Sequence, residues 1–181
     1  MSQVLKALPY AVMVSNLFKR GSNQVEELMH AAIGLSGEAA EFAEADGLQN
    51  AIEELGDLEF YAEAFRQKLG ISEEEVVLAR MAQSATEAKV TLGTMIHHLS
   101  VVTGDILDHT KKCWVYGHQP ESATFVELFG RFEGITLQVR DILGVNRQVI
   151  LDANQAKLGK RFPEGVYSGA DALARADKAN G

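Results

Sequence analysis

The stretch GEAAEFAEADGLQNAIEELGDLEFY, residues 37–61, carries two helical patterns on either side of the short break DGLQN at 46–50. Apolar residues recur at steps of three and four through both segments and beyond them, at Leu28, Ala32, Leu35, Ala39 and Phe42 and at Leu55, Leu58, Ala62, Phe65 and Leu69. This spacing is typical of amphipathic helices. The stretch therefore predicts two helices that pack antiparallel across the break.

The rest of the chain shows the same helical periodicity, and alternating strand patterns are hardly present. Glycine, proline and capping residues mark the breaks between helices. They predict a short helix before Lys19 and longer ones at 24–45, 49–69, 73–112 with Gly93 as a candidate interruption, 122–143 and 147–162. The residues after Pro163 are expected to be partly disordered. We predict one all-α domain over 1–181, a bundle of five to six helices.

Composition limits the classes of function. The chain has 181 residues, a hydrophobic content of 46% and a net charge of −8. The negative charge argues against general binding of nucleic acid and of anionic membrane surfaces, and it suits a protein that binds cations. The single cysteine, Cys113, allows no intramolecular disulfide. With neither a signal-peptide pattern nor an apolar run of about 20 residues, we expect a cytoplasmic protein.

Two parts of the sequence align with two later parts. Residues 28–45 match 95–112, and residues 53–83 match 127–157. Both copies keep a helix glycine, a Leu-Gly stop and a polar capping residue in the same order. The similarity is weak at individual positions, but this shared order favours an internal duplication.

The two copies differ in charge. Repeat one, about 24–84, holds the acids, whereas repeat two, about 91–161, holds basic and amide groups and the tail follows at 164–181. This division is expected if an ancestral homodimer had sites shared between its subunits. After two copies were fused into one chain, each copy would keep only its part of one complete site. We therefore predict an intramolecular pseudo-dimer, with a vestigial site around Asp105 and Asp108 and homo-oligomers of such chains as a further possibility.

Four carboxylates lie at helical spacing in repeat one. Glu38 with Glu41, and Glu54 with Asp57, are three residues apart, so each pair shares a helix face. At ~5 Å and an effective dielectric constant near 20, each like-charge pair costs about 3 kcal/mol. The cluster is tolerable if it is solvated, protonated or neutralised by a metal. Oxygen ligands of this kind select Mg²⁺, with Mn²⁺ as a substitute.

The alternative is a set of ordinary surface acids, because such spacings are common on acidic helices. Glu38 lies one turn from both Leu35 and Phe42, at the edge of the apolar stripe, which favours a site. By contrast, five other acids of this half are expected to be solvated: Glu59, Glu63, Glu73, Glu74 and Glu75.

The motifs GEAAE, EELGDLEFY and LGISEEEV, with the ending ANQAKLGKRFPEGVYSGADALARADK, resemble the MazG-like nucleoside triphosphate pyrophosphohydrolases. This all-α superfamily is related to the dimeric dUTPases, and the resemblance covers most of 24–178. It implies hydrolysis of a nucleotide between the α and β phosphates, with Mg²⁺ held by Glu38, Glu41, Glu54 and Asp57. Either Glu41 or Glu54 is then the candidate general base.

Basic residues near the end of the chain suit a phosphate-binding role. Asn154, Lys157 and Arg161 lie on one face of the last long helix, although a solvated helix end has the same appearance. Lys111 and Lys112 resemble a lysine pair that many single-copy relatives carry after the first acidic helix. His30 and Tyr167 are candidates to enclose the nucleoside. The alternative is that His30 is a core histidine and Tyr167 a surface tyrosine.

Two other classes remain open at this point. A di-iron helical bundle also uses helix carboxylates but needs two ExxH steps, and only Glu27 with His30 provides one. A catalytically silent helical protein would bind a nucleotide or a protein partner without turnover. The expected partner of the enzyme is its nucleoside triphosphate substrate.

Overall fold

The computed structural model describes residues 8–83 and 90–178, and this part of the chain is helical without strands. It contains the eight helices α1 (Tyr10–Leu17), α2 (Gln24–Ala43), α3 (Leu48–Leu69), α4 (Glu73–Ala82), α5 (Leu92–Tyr116), α6 (Ser122–Leu143), α7 (Arg147–Arg161) and α8 (Gly169–Ala174). The predicted all-α fold is confirmed. Within the described ranges, no helix combines the length and the apolar character needed to cross a bilayer.

The predicted segment 73–112 is divided into two helices, and the division lies just before the candidate interruption at Gly93. Helix α4 ends at Ala82, and α5 begins at Leu92 after Thr91, whose side chain accepts a hydrogen bond from the backbone N–H of Thr94. Residues 84–89 of the predicted helix lie outside the described residues. Threonine at this position is a common N-cap, so the break comes from capping rather than from Gly93, which lies inside the first turn of α5.

The other predicted helix ends follow from local chemistry. Gly70 and Gly144 close α3 and α6 in the left-handed conformation, with φ of 68° and 67°. A residue with a Cβ adopts this conformation only at a cost, which is why the Leu-Gly pairs stop these helices. Ser72 and Glu75 form the expected capping box at the start of α4, and Asn146 caps α7.

The core lies where α2 packs against both α3 and α5, and α6 covers α5 on its far side. Helix α2 buries Leu28, Leu35 and Phe42, and the facing side of α3 buries Leu58 and Phe65. These residues belong to the two apolar stripes predicted from the helical spacing of residues 28–42 and 55–69. Their burial holds the acidic faces of α2 and α3 next to each other.

The last helices of the two predicted repeats each pack on the other repeat. Helix α4 packs on α6, and α7 packs on α3. The aligned glycines Gly56 and Gly130 lie at these contacts, since a Cβ on Gly56 would lie 2.8 Å from Cβ of Asn154 and one on Gly130 would lie 2.8 Å from Cβ of Ala79. This exchange supports the duplication, which stays a prediction.

Glu59 corrects another expectation, because this acid is buried rather than solvated. Its side chain accepts hydrogen bonds from Arg147 at 2.9 and 3.0 Å and from Arg140 at 3.3 Å. Glu63 pairs with Arg66 on the same helix. The acid near the middle of α3 therefore joins it to α6 and α7 through a buried ion network.

The close contact at Gly130 leads to a stability prediction. A Cβ there would meet the backbone N of Arg80 at 2.9 Å, so Gly130→Ala should lower the free energy of unfolding by about 1–3 kcal/mol through overpacking. Gly104→Ala is the matched control, since nothing lies within 4 Å of its Cβ position in α5. It should raise stability by about 0.5–1 kcal/mol. Urea unfolding followed by circular dichroism measures both, and equal effects would contradict the packing.

Candidate active site

A cleft of about 400 Å³ opens where α2, α3 and α7 meet the C-terminal tail. Acids line one part of the cleft, cations another and aromatic rings a third. The lining comprises Glu38, Glu41, Glu53, Glu54 and Asp57, then Lys19, Lys157, Arg161, Arg175 and Lys178, and the apolar and aromatic residues Leu17, His30, Phe60, Tyr61, Leu158, Phe162, Tyr167 and Ala172. All four acids of the predicted site thus reach one cavity.

Three of these acids gather closely. Carboxylate oxygens of Glu38, Glu41 and Glu54 lie within 4.8 Å of one another. Glu38 and Glu41 share a face of α2, and Glu54 on α3 is buried, with Oε1 accepting a hydrogen bond from Nδ2 of Asn50 at 2.7 Å. An all-carboxylate donor set is the chemistry that Mg²⁺ and Mn²⁺ prefer. The three glutamates therefore fit a hard divalent cation.

The electrostatics of the cluster show how poorly it tolerates its own charge. Burial, with the charges of Asp57, Glu41 and Glu54, raises the pKa of Glu38 to about 8. Burial and the charge of Asp57 also raise the pKa of Glu54. A carboxyl group whose pKa is raised in this way resists ionisation until a cation arrives. The repulsion predicted for the four acids is thus present in the folded chain.

Asp57, the fourth predicted ligand, is held differently. Its Oδ1 accepts a hydrogen bond from Nδ2 of Asn154 at 2.8 Å, and its Oδ2 pairs with Nζ of Lys157. It lies outside the group of three glutamates that the oxygen distances define. Asp57 therefore joins the acidic part of the cleft to the cationic part.

Lys157 and Arg161, predicted to bind phosphate, both line the cleft from α7. Lys157 also contacts Glu53 at 3.2 Å. Arg161 donates two hydrogen bonds to Asp177, at 2.7 and 2.6 Å, and the Asp177 side chain is only 1% exposed. Lys157 and Arg161 are thus already paired with carboxylates of the same chain.

The described residues of the tail after Pro163 contact the cleft, and the partial disorder expected there stays a prediction. Lys178 donates to Glu53 at 2.6 Å, and the backbone N–H of Tyr167 donates to the carbonyl of Asn16 at 3.1 Å. Together with the bond between Arg161 and Asp177, these contacts hold α8 along the cleft. Residues 179–181 lie outside the described residues.

Asn154 shares a helix face with Lys157 and Arg161, but it does not reach the cleft. Its side chain is 1% exposed and lies between α7 and α3, where it donates to Asp57 and accepts from the hydroxyl of Tyr10 at 2.9 Å. Helical spacing gives the face of a side chain and not its depth. The structure therefore brings Asn154 to an acid instead of to open space.

Lys111 and Lys112 do not join Glu38, Glu41, Glu54 and Asp57 in the described lining of the cleft. Both pair with Asp108 on their own helix, Lys112 at 2.7 Å. The neighbouring Asp105 pairs with Arg131 at 2.9 Å. The acids of the predicted vestigial site are thus neutralised by nearby cations, and the two lysines are absent from the described lining of the acidic cleft.

His30 and Tyr167, the nucleoside candidates, both line the cleft. The His30 ring stacks on Phe18 with centroids 4.5 Å apart and meets Tyr61 edge-on at 5.9 Å, and burial lowers its pKa. Tyr167 packs against Phe162 at 5.9 Å. The rings form an apolar wall near the acids.

Sequence reasoning missed Glu53, Tyr61 and the tail cations Arg175 and Lys178. Glu53 falls between the ExxE and ExxD patterns, so no spacing rule selects it. Gly34 gave a signal for Tyr61, since a Cβ there would lie 2.5 Å from the Tyr61 ring. A glycine inside a helix can have a packing reason of this kind, but Gly37, directly before Glu38, has nothing within 4 Å of its Cβ position.

Comparison with known proteins adds no assignment. The chain matches no protein-family model, no curated protein and no solved structure. Its function is therefore inferred from the residues of the cleft and from the resemblance of its motifs.

The raised pKa of Glu38 makes stability depend on pH. Because the folded-state pKa of about 8 exceeds the unfolded value of about 4.3, the metal-free protein should lose stability as pH rises from 5 to 8.5. Glu38→Gln should flatten this slope.

Urea unfolding at several pH values, without divalent cations, measures the slope. Glu74→Gln is the control, because this exposed acid lies on α4, which contributes no residue to the described lining of the cleft, and it should leave the slope unchanged. Adding Mg²⁺ at pH 8.5 should stabilise the wild type more than Glu38→Gln. A wild-type stability that rises between pH 5 and 8.5 would contradict the repulsion.

Lys157 neutralises Asp57 in the absence of a metal, so it competes with a cation. Lys157→Met should therefore raise the affinity for Mn²⁺ several-fold when no nucleotide is present. Lys160→Met, an exposed lysine on the same helix, should have no effect. Calorimetric titration with Mn²⁺ tests both variants, and a weaker affinity in Lys157→Met would show that the lysine supports the metal site.

Proposed function

We propose that the protein is a Mg²⁺-dependent nucleoside triphosphate pyrophosphohydrolase, which releases a nucleoside monophosphate and pyrophosphate. One observation carries the proposal. The three clustered glutamates and the cations Lys157 and Arg161 line the same cleft, which is where a cation and a phosphate chain would bind together. The resemblance of the acidic motifs to MazG-like enzymes supports the same reaction. The single cysteine suits a cytoplasmic location.

The glutamates would hold the cation. Glu38, Glu41 and Glu54 supply oxygen ligands from two helices, and Asp57 has one oxygen toward the cleft. Mg²⁺ in this position supplies positive charge to phosphate oxygens and to the charge that develops during cleavage. A cation bound there would also offset the burial and the neighbouring carboxylate charges that together raise the pKa of Glu38. The substrate and the cation would therefore bind at the same place, because the positive charge of the cation neutralises both the glutamates and the phosphates.

Lys157 and Arg161 would bind the phosphates that leave as pyrophosphate. A guanidinium group forms paired hydrogen bonds with a carboxylate or with a phosphate, so Asp177 occupies the position in which Arg161 would hold a phosphate. Arg161 must exchange Asp177 for the substrate, and Lys157 must leave Asp57 before it can reach a phosphate. Both cations are thus oriented before the substrate arrives.

Glu41 is the better placed of the two candidate bases. Its side chain is exposed, whereas Glu54 is buried and one of its oxygens already accepts from Asn50. Water attacks the α phosphorus, Glu41 accepts the proton, and the bond to the bridging oxygen breaks. The negative charge on the leaving pyrophosphate meets Lys157 and Arg161.

The aromatic part of the cleft would take the nucleoside. The whole cleft has a volume of about 400 Å³, which lies within the usual range for small-molecule sites. Tyr61 and Tyr167 provide ring surfaces with hydroxyl groups, and burial with the charges of Glu38 and Asp57 raises the pKa of Tyr61 to about 12. Tyr61 therefore stays protonated and able to donate a hydrogen bond.

Pyrophosphate release tests the proposal directly. The purified chain is incubated with Mg²⁺ and each common NTP and dNTP, and pyrophosphate and monophosphate are measured. At least one nucleotide should give both products in equal amounts, and EDTA should stop the reaction. Glu41→Gln should lower kcat by about 100-fold or more.

The control for this variant is Glu74→Gln, an exposed acid on α4, which should keep full activity. Full activity in Glu41→Gln would overturn the assignment of the acids. Nucleotide binding without any product would indicate a silent binding protein, and iron-dependent colour would indicate a di-iron protein.

A further inference from the structure

A chain of hydrogen bonds leads from the N-terminal helix to the cleft. The hydroxyl of Tyr10 on α1 donates to Oδ1 of Asn154 at 2.9 Å, and Nδ2 of Asn154 donates to Oδ1 of Asp57 at 2.8 Å. A carboxylate accepts only, so the amide must turn its nitrogen toward Asp57 and its oxygen toward a donor. The tyrosine hydroxyl, protonated at neutral pH, is that donor.

The packing around Asn154 leaves the amide little freedom. Its side chain is 1% exposed, and a Cβ on Gly56 would lie 2.8 Å from its own Cβ. An amide buried in this way costs free energy unless both ends are paired. Tyr10 and Asp57 provide the two partners. These hydrogen bonds fix the rotation of the Asn154 amide and, through it, of the Asp57 carboxylate, on the side away from the cleft.

The two oxygens of Asp57 have different surroundings as a result. Oδ1 faces the buried amide, whereas Oδ2 pairs with Lys157, which lines the cleft. The contact at Oδ1 lies behind the cleft wall, and the contact at Oδ2 involves a side chain that can move. One oxygen is therefore anchored and the other is exchangeable.

We propose that Tyr10 and Asn154 are positioning residues that present Oδ2 of Asp57 to a divalent cation. Lys157 occupies this oxygen until the cation displaces it, and the released ammonium group then turns to the phosphate chain. This rests on the proposed function, because it assigns a metal to the acidic cleft. It also adds that cation binding prepares the phosphate site.

The test measures Mn²⁺ binding by calorimetry on the full chain, without nucleotide. Asn154→Leu removes both hydrogen bonds at nearly constant shape, and it should weaken Mn²⁺ binding by about 10- to 100-fold. Tyr10→Phe should weaken it by a smaller factor in the same direction. The hydroxyl of Tyr10 lies 2.9 Å from Oδ1 of Asn154 and, at a longer 3.4 Å, from the carbonyl of Gly56. The double variant should therefore bind nearly as Asn154→Leu does, because the shorter contact passes through Asn154.

Tyr116→Phe is the matched control, since this tyrosine is 66% exposed at the end of α5 and should bind Mn²⁺ as the wild type does. Melting temperatures separate positioning from packing. Unchanged Mn²⁺ affinity with a lowered melting temperature would overturn the proposal and leave both residues as core packing. If Asn154→Leu does not fold, Tyr10→Phe alone decides, and wild-type affinity in that variant would overturn it.

The same titration keeps the two proposals apart. A wild-type chain that binds no Mn²⁺ would overturn the metal site and the positioning role together. Mn²⁺ binding by the wild type, with equal affinity in all variants, would overturn only the positioning role. Independent losses that multiply in the double variant would show that Tyr10 does not act through Asn154.

Discussion

Helix α7 approaches α3 closely because residue 56 is a glycine, and the contents of the cleft depend on this contact. A side chain at Gly56 would lie 2.8 Å from Cβ of Asn154, so the approach would be lost with any larger residue. At the present separation, Asn154 reaches Asp57 and Lys157 enters the cleft one turn further along. A glycine weakens a helix by about 1 kcal/mol relative to alanine. Here that cost is offset by the contact that places cations beside acids.

Charge balance is the second constraint, because the chain gathers acids and then pairs many of them internally. Asp57 and Glu53 pair with Lys157, and Arg161 pairs with Asp177. Ligand binding in such a cleft is an exchange of ion partners instead of the filling of an empty space. Each displaced carboxylate or ammonium group must gain water or a new partner, because a buried charge left unpaired is costly. Affinity then depends on the charge and geometry of the ligand.

The sequence predicted the features that depend on residue spacing within a helix. It did not predict the burial and pairing that depend on residues far away in the chain. The apolar stripes, the Leu-Gly stops and the acids Glu38 and Glu41 on α2 and Glu54 on α3 follow from spacing within each helix. Glu59 was misjudged because Arg147, 88 positions away, buries it. Asn154 was placed on the correct face, but its depth depends on how closely another helix approaches. Ion pairs with distant residues also connect the described tail to the cleft, and a helical period contains no information about them.

The exchange of α4 and α7 between the two halves has a consequence for biosynthesis. Helix α4 packs on α6, and Asp57 finds its partner Asn154 97 positions later, so the acidic half leaves the ribosome before its contacts exist. Contacts between residues this distant in sequence slow folding, because the intervening chain must first be closed into a loop. Until α7 is made, the paired acids on α2 and α3 lack their cations. The nascent chain therefore carries a charged, incompletely packed surface until α7 has been synthesised.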